Sequence, residues 1–152
     1  MRRPTRAARA DAVSPSSDEG ISPTTVRELV RLARKARQRA RAPYSGFKVG
    51  AALLSHAGEI VTGCNIENAS FGLTVCAERV AVLKAVSEGI SRFTAMAIVA
   101  DSTRLTPPCG PCRQLLWELC GDIAIHMENL RGRSRSLRLS QLLPYPFDDR
   151  HF

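Results

Sequence analysis

Two cysteines separated by two residues, Cys109 and Cys112, can bring both sulfurs onto one metal ion, because the turn Pro107-Pro108-Cys109-Gly110-Pro111 lets the side chains converge. The pair alone is ambiguous, since Cys-Gly-Pro-Cys is also a dithiol redox motif in which the first thiol attacks disulfides from the start of a helix. Thioredoxins carry a Trp directly before that motif, whereas Pro108 precedes it here and Arg113 follows. Upstream, Cys76-Ala77-Glu78 opens a helix and offers a third sulfur. A zinc ion held by three protein ligands keeps a fourth position for water, which separates catalytic from structural sites. Glu78, two residues beyond the ligand, would stand beside that water as a proton carrier. An isolated Glu in a first turn would otherwise serve the helix dipole. Cys64 and Cys120 read as small core residues. A structural four-cysteine zinc that recruits Cys64 is the remaining metal alternative, at an unfamiliar spacing.

The elements that must position these residues are legible from periodicity and punctuation. Ser22-Pro23 supplies a helix cap and a first-turn proline, and Val26, Leu29, Val30, Ala33, Ala36 and Ala40 recur on one face of the helix that follows. Ala42-Pro43-Tyr44-Ser45-Gly46 breaks it. Phe47 to Leu54 and Glu59 to Asn65 read as a hairpin joined through His56-Ala57-Gly58. Thr74 to Gly89 reads as a buried helix and Phe93 to Ala100 as a strand buried on both faces. Cys112 to Leu119 predicts a helix, Asp122 to Met127 and Leu137 to Leu139 strands, and Ser140 to Leu143 a closing helical turn. This order implies an α/β fold, a mixed sheet with helices packed on its faces.

A chain of 152 residues with 44% hydrophobic and 24% charged residues suits one soluble domain with a proper core. We expect that domain to span residues 22–152, after a disordered leader at 1–21 that has almost no large apolar side chains. No apolar run approaches the roughly 20 residues that span a bilayer, and the basic start lacks the apolar stretch of a signal peptide, so no membrane association and a cytoplasmic location are expected. The net charge of +8 is unevenly placed. Residues 1–42 hold eleven Arg/Lys against four Asp/Glu, a balance of +7, and residues 43–152 hold eleven against ten, a balance of +1. A nearly neutral remainder is not the footprint of a protein that binds a nucleic-acid polymer. Arg131, Arg133, Arg135 and Arg138 are expected on an exposed loop and strand edge. Five cysteines without a secretion signal point to metal or redox chemistry rather than a disulfide framework.

Several blocks in one order make the chain similar to the small cytidine deaminase family: Ala42-Pro43-Tyr44-Ser45 with Phe47, Val49-Gly50-Ala51-Ala52-Leu53, Asn65-Ile66-Glu67-Asn68-Ala69-Ser70, Cys76-Ala77-Glu78-Arg79, Pro108-Cys109-Gly110-Pro111-Cys112-Arg113-Gln114 and Leu142-Leu143-Pro144. A Cys or His ligand, an unligated Glu and a Pro-Cys-x-x-Cys segment are the zinc-deaminase signature. The resemblance covers residues 25–147 and implies a three-layer fold with a five-stranded mixed sheet and one Zn²⁺ per subunit.

It also implies a free nucleoside as substrate. Asn65 and Glu67 would hydrogen-bond the sugar, above all its 3′-hydroxyl, and Phe47 would lie against the pyrimidine. The amide of Ala77 and the Cys109 region would orient the ring, and Arg79 would contact the zinc thiolates. Short members of the family are homotetramers, and by that resemblance Ala69, Ser70, Phe71 and Phe147 would approach a neighbour's ligand. Phe71 stands where the family often has Tyr, and the tail after Pro144-Tyr145-Pro146-Phe147 departs from the pattern. The expected reaction is hydrolysis of cytidine or 2′-deoxycytidine to the uracil nucleoside and ammonia, in pyrimidine salvage, with Glu78 carrying protons from water to N3 and then to the leaving amine. A deaminase of a cytosine nucleoside antibiotic would share the metal site but lack the Asn65-to-Ser70 block. A thioredoxin-like oxidoreductase and a purely structural zinc module complete the alternatives.

Overall fold

The structure, a computed structural model, describes residues 21–152. The proposed leader, apart from Ile21, lies outside the described residues. A helix α1 (Pro23–Arg37) comes first, then strands β1 (Val49–Ser55) and β2 (Ile60–Cys64). Helix α2 (Ala77–Ser87), strand β3 (Phe93–Ala100) and helix α3 (Gly110–Cys120) follow, then β4 (Ala124–Asn129), β5 (Ser134–Arg138) and a short α4 (Leu139–Leu142). The strands form one sheet in the order β2-β1-β3-β4-β5. β1 is antiparallel to β2 and β3, β3 is parallel to β4, and β4 is antiparallel to β5. A parallel pair cannot be joined by a tight hairpin, and α3 supplies the crossover between β3 and β4.

Strand alternation sorts the core into two layers. Ala95, Ala97 and Val99 of β3 join Ala52 of β1 beneath α1, whose Leu29, Val30 and Ala33 are buried against them. Met96, Ile98 and Ala100 join Ala51 and Leu53 on the other face, where Ala77, Ala81, Val82 and Ala85 of α2 and Leu116 of α3 cover them. The result is the expected three layers around a five-stranded mixed sheet. Burying each such Leu or Val side chain contributes about 1.5–3 kcal/mol.

Two glycines let the helices sit this close. A Cβ on Gly50 would lie 2.0 Å from the Ala33 carbonyl oxygen of α1, and one on Gly63 would lie 2.3 Å from that of Ala77 in α2. Residues with no side chain are therefore required on both faces where strand and helix backbones meet.

Several boundaries differ from those read in the sequence. The helix expected from Thr74 begins at Ala77, because Val75 pairs with Ile66 in an isolated bridge and holds the backbone extended. The helix expected from Cys112 begins at Gly110, where Pro111 takes a first-turn position that needs no amide donor. β1 starts at Val49 rather than Phe47, and the last strand is Ser134–Arg138 rather than Leu137–Leu139, its register set by pairing with β4. The four arginines do fall on the β4–β5 turn and the exposed β5 edge.

Candidate active site

The amino-terminal ends of α2 and α3 converge on the same side of the sheet. Cys76 occupies the cap position of α2, Cys109 that of α3, and Cys112 the first turn of α3. Neither cap cysteine spends its side chain on its helix. The sulfurs of Cys76, Cys109 and Cys112 all lie within 4.8 Å of one another, and those of Cys76 and Cys109 are 3.8 Å apart. Two sulfurs bound tetrahedrally at about 2.3 Å would be about 3.8 Å apart, so this edge fits one zinc ion. Among the described residues no fourth His, Cys, Asp or Glu joins the group. Cys64 stands outside it, and Cys120 is a half-buried thiol pushed up to about 12 by desolvation. A three-thiol set leaves a coordination position for something other than protein, whereas the four-cysteine arrangement with Cys64 does not form.

The electrostatics of the trio suit a cation. A hydrogen bond from the Cys112 thiol, partly opposed by burial and reinforced by Cys109 and the Arg79 guanidinium, pulls Cys76 down to about 5. The same hydrogen bond, with burial and the nearby Glu78 charge, drives Cys112 upward. The hydrogen-bonded pair thus favours a single shared negative charge, and a metal would displace the remaining proton. Arg79 Nη2 donates to the Thr74 carbonyl at 2.7 Å and lies 3.9 Å from Cys76 Sγ. Its Nε is buried with no partner among the described residues, a spare donor beside a group that would be anionic. Three thiolates and one Zn²⁺ sum to a single negative charge, which this guanidinium and the two helix starts offset.

Glu78 sits in the first turn of α2 and is 5% exposed. Burial, followed by the charge of Cys76, raises its carboxyl to about 7, against the opposing pull of its own backbone amide, Arg79 and the Cys112 thiol. A carboxyl poised near neutrality can both accept and release a proton at physiological pH.

A second group of expected residues forms a polar frame of its own. Asn65 and Glu67 are both buried. The side chain of Asn65 is used within the protein: its Nδ2 donates to the Phe47 carbonyl at 2.9 Å, and its Oδ1 accepts from the Val49 amide at 2.8 Å. Glu67 Oε2 accepts the amides of Tyr44 at 2.9 Å and Ser45 at 3.3 Å, while Oε1 accepts the Ser45 hydroxyl. Those bonds, the hydroxyl first and then the Tyr44 amide, hold the Glu67 carboxyl below its ordinary range. Phe47 is 40% exposed, so it is an accessible ring rather than core.

The remaining expected residues sit on exposed segments of the chain. Ala69, Ser70 and Phe71 lie in an exposed loop, Phe71 packing edge-on to Tyr44 at 6.2 Å. Phe147 is half exposed, and Gln114 of α3 grips it through both its backbone amide and its carbonyl. Sequence reasoning assigned no role to Gln114, Arg113 or the Trp117–Asp148 pair. Arg113 bonds the carbonyls of Pro108 and Leu142, tying the Cys109 turn to the closing helix. Trp117 Nε1 donates to Asp148 at 3.2 Å, anchoring the tail to α3. The Arg-Gln pair directly after Cys112 was the only signal for the first two, and none existed for the third.

The comparisons with known proteins agree with this geometry. Residues 23–127 match the family model described as the cytidine and deoxycytidylate deaminase zinc-binding region. The chain is 51% identical to a cytidine deaminase of Halalkalibacterium halodurans over 78% of its own length and 91% of that protein. It is 46% identical to a cytidine deaminase of Sporosarcina psychrophila over 80% of its length and 90% of the relative. The crystal structure of cytidine deaminase from Burkholderia pseudomallei superposes with a TM-score of 0.78 at 42% identity, covering 80% of this chain and 98% of that one. The three-thiol cluster, its buried carboxyl and a family match that spans both sheet-forming halves have one common explanation: the chain belongs to the cytidine and deoxycytidylate deaminase zinc-binding family.

Proposed function

We propose that this protein hydrolyses the exocyclic amine of free cytidine or 2′-deoxycytidine, consuming one water and releasing uridine or deoxyuridine with ammonia. The observation that carries the reading is Glu78, a buried carboxyl raised to about 7 beside three converged thiols that leave it unligated. Zinc held by Cys76, Cys109 and Cys112 would supply the Lewis acid that makes a water reactive at neutral pH. Glu78 accepts the proton of that water at its carboxylate, delivers it to N3 of the ring, and later carries a proton to the departing amine. Arg79 balances the charge of the thiols, and the Ala77 amide and Cys109 region orient the pyrimidine against Phe47.

Glu67 supports a nucleoside rather than a polynucleotide. Held ionised, it offers only acceptors, so it selects a ligand that brings a hydroxyl donor and rejects a phosphodiester at that position. Asn65 meets the same sugar with its second N–H while its other amide groups fix the backbone around Phe47. We place the reaction in pyrimidine salvage in the cytoplasm, where reducing conditions suit five free cysteines. Self-association as a homotetramer is part of the proposal: Phe71 at 76%, Leu73 at 66% and Phe147 at 58% exposure are large apolar side chains that a neighbouring copy would cover. Ala69, Ser70, Phe71 and Phe147 would then reach a neighbour's nucleoside, with Phe71 lacking the hydroxyl of a Tyr.

The test is loss of cytidine and deoxycytidine absorbance with ammonia released and zinc quantified in the same sample, beside sedimentation of the purified protein. Stoichiometric ammonia and a tetrameric mass are expected. Bound zinc without ammonia, or disulfide reduction without zinc, would contradict the reading.

A further inference from the structure

The loop between α1 and β1 is fastened to the segment after β2 by a set of polar contacts that converge on one hydroxyl. Arg41 and Glu67 are tied twice: the Glu67 amide donates to the Arg41 carbonyl at 2.8 Å, and the Arg41 side-chain Nη1 donates to the Glu67 carbonyl at 2.8 Å. Asn65 holds the Phe47 carbonyl and the Val49 amide. Between these two clamps, Ser45 Oγ donates to Glu67 Oε1 and accepts the Phe47 amide at 3.0 Å. Among the described residues it is the one side-chain atom that touches both the carboxylate and the Phe47 backbone. The chain of donors runs from the Phe47 amide to Ser45 and from Ser45 to Glu67.

Counting acceptors gives this arrangement a consequence. A carboxylate has about four lone-pair positions, two on each oxygen. The Tyr44 and Ser45 amides fill both on Oε2, and the Ser45 hydroxyl fills one on Oε1. One acceptor position is left on Oε1, and its direction is set by where Ser45 holds that oxygen. We propose that Ser45 is a positioning residue that aims the one free acceptor of Glu67 at the sugar hydroxyl and, through the same oxygen, sets the Phe47 backbone beside the base. Sugar and base recognition are thereby locked into one unit. The proposal rests on the reading that Glu67 meets the 3′-hydroxyl of a nucleoside.

The experiment is steady-state kinetics of the zinc-loaded wild type, Ser45→Ala, Ser45→Cys and Ser45→Thr with cytidine and with 3′-deoxycytidine. Ser45→Ala and Ser45→Cys, which lose the strong donor, should each raise KM for cytidine about tenfold, the order expected for a hydrogen bond to a charged acceptor, with kcat within about twofold. Ser45→Thr, which keeps the hydroxyl, should remain within about threefold of wild type in KM. With 3′-deoxycytidine, which presents no donor to Oε1, the gap between wild type and Ser45→Ala should shrink to about threefold or less. Ser45 is exposed, so Ser45→Ala should fold, and Ser45→Cys keeps the side-chain volume as an independent check. If wild type discriminates between the two nucleosides but Ser45→Ala weakens both equally, Ser45 has no special link to Glu67 and this proposal fails alone. If wild type treats the two nucleosides alike, the reading of Glu67 fails and takes the proposal with it. An unchanged KM in both Ser45→Ala and Ser45→Cys also overturns it.

Discussion

Adding one methyl group at Gly63 should disable the site without changing any residue that holds the metal or moves the protons. Gly63 lies in β2 under the first turn of α2, and a Cβ there would meet the Ala77 carbonyl oxygen at 2.3 Å, the Ala81 nitrogen at 2.5 Å and Val80 Cβ at 3.0 Å. The nearest two are helix backbone, which cannot swing aside as a side chain can. Ordinary contact begins near 3.4 Å, so the start of α2 must retreat by about 1.1 Å, and overpacking of this kind costs about 1–3 kcal/mol. That start carries Cys76 as its cap and Glu78 in its first turn. A shift of about 1 Å in a reacting group costs on the order of a hundredfold in rate, so Gly63→Ala should lose about two decades of kcat and part of its zinc. Gly50→Ala is the control. Its Cβ would meet Ala33 and Arg37 of α1 at 2.0 and 2.5 Å on the opposite face of the sheet, so it should destabilise at least as much yet keep zinc and hold kcat within about fivefold. Urea unfolding, metal analysis and turnover of cytidine on the two variants decide the matter. Gly63→Ala protein with one zinc per chain and kcat within threefold of wild type would refute the claim that β2 sets the position of α2.

Three further outcomes follow from single contacts. Arg79→Gln removes the guanidinium next to Cys76 and the tie to Thr74, and should weaken zinc retention about ten- to hundredfold in chelator competition; unchanged retention would remove Arg79 from the metal's surroundings. Asp148 is held well below the usual carboxylate range, first by the Arg150 guanidinium against the opposing effect of burial, and also by the Trp117 indole. Its folded pKa is depressed, so its stabilisation is present above about pH 4 and is lost as pH falls through the folded value. Wild type should therefore lose more stability than Asp148→Asn on acidification, and parallel pH profiles in urea unfolding would contradict this. Gln114→Ala frees both backbone groups of Phe147 and should raise KM for cytidine if the tail reaches a nucleoside, without altering zinc content; an unchanged KM would separate the tail from substrate binding.

The metal centre was legible in the sequence because its chemistry is written in residue type and short spacing. Cys109 and Cys112 share one turn, and Cys76 with Glu78 shares another, so only the approach of two helix starts had to come from the fold. What stayed hidden depends on partners far along the chain. Nothing local marks Val75 as extended; the bridge to Ile66 does that, and it moves the start of α2 three residues past Thr74. β5 carries alternating Ser and Arg with little apolar content, as an exposed edge allows, so its register could only come from β4. The amide of Asn65 also holds the backbone of Phe47 and Val49, a use that no spacing rule encodes and that leaves one N–H and one oxygen lone pair for a ligand. Ser45 stood inside a quoted block with no role, because its two partners sit 22 residues away and two residues away, on different segments.

The central claim is that a carboxyl which binds no metal moves the protons of the reaction, and Glu78→Gln tests it most directly. The substitution keeps the size of the side chain and all three thiols, so zinc content and turnover of cytidine should be measured on the same sample beside wild type. One zinc per chain with kcat reduced by two decades or more, the scale of a lost general acid and base, is the predicted result. A metal-replete Glu78→Gln protein that deaminates cytidine at close to the wild-type rate would contradict the account.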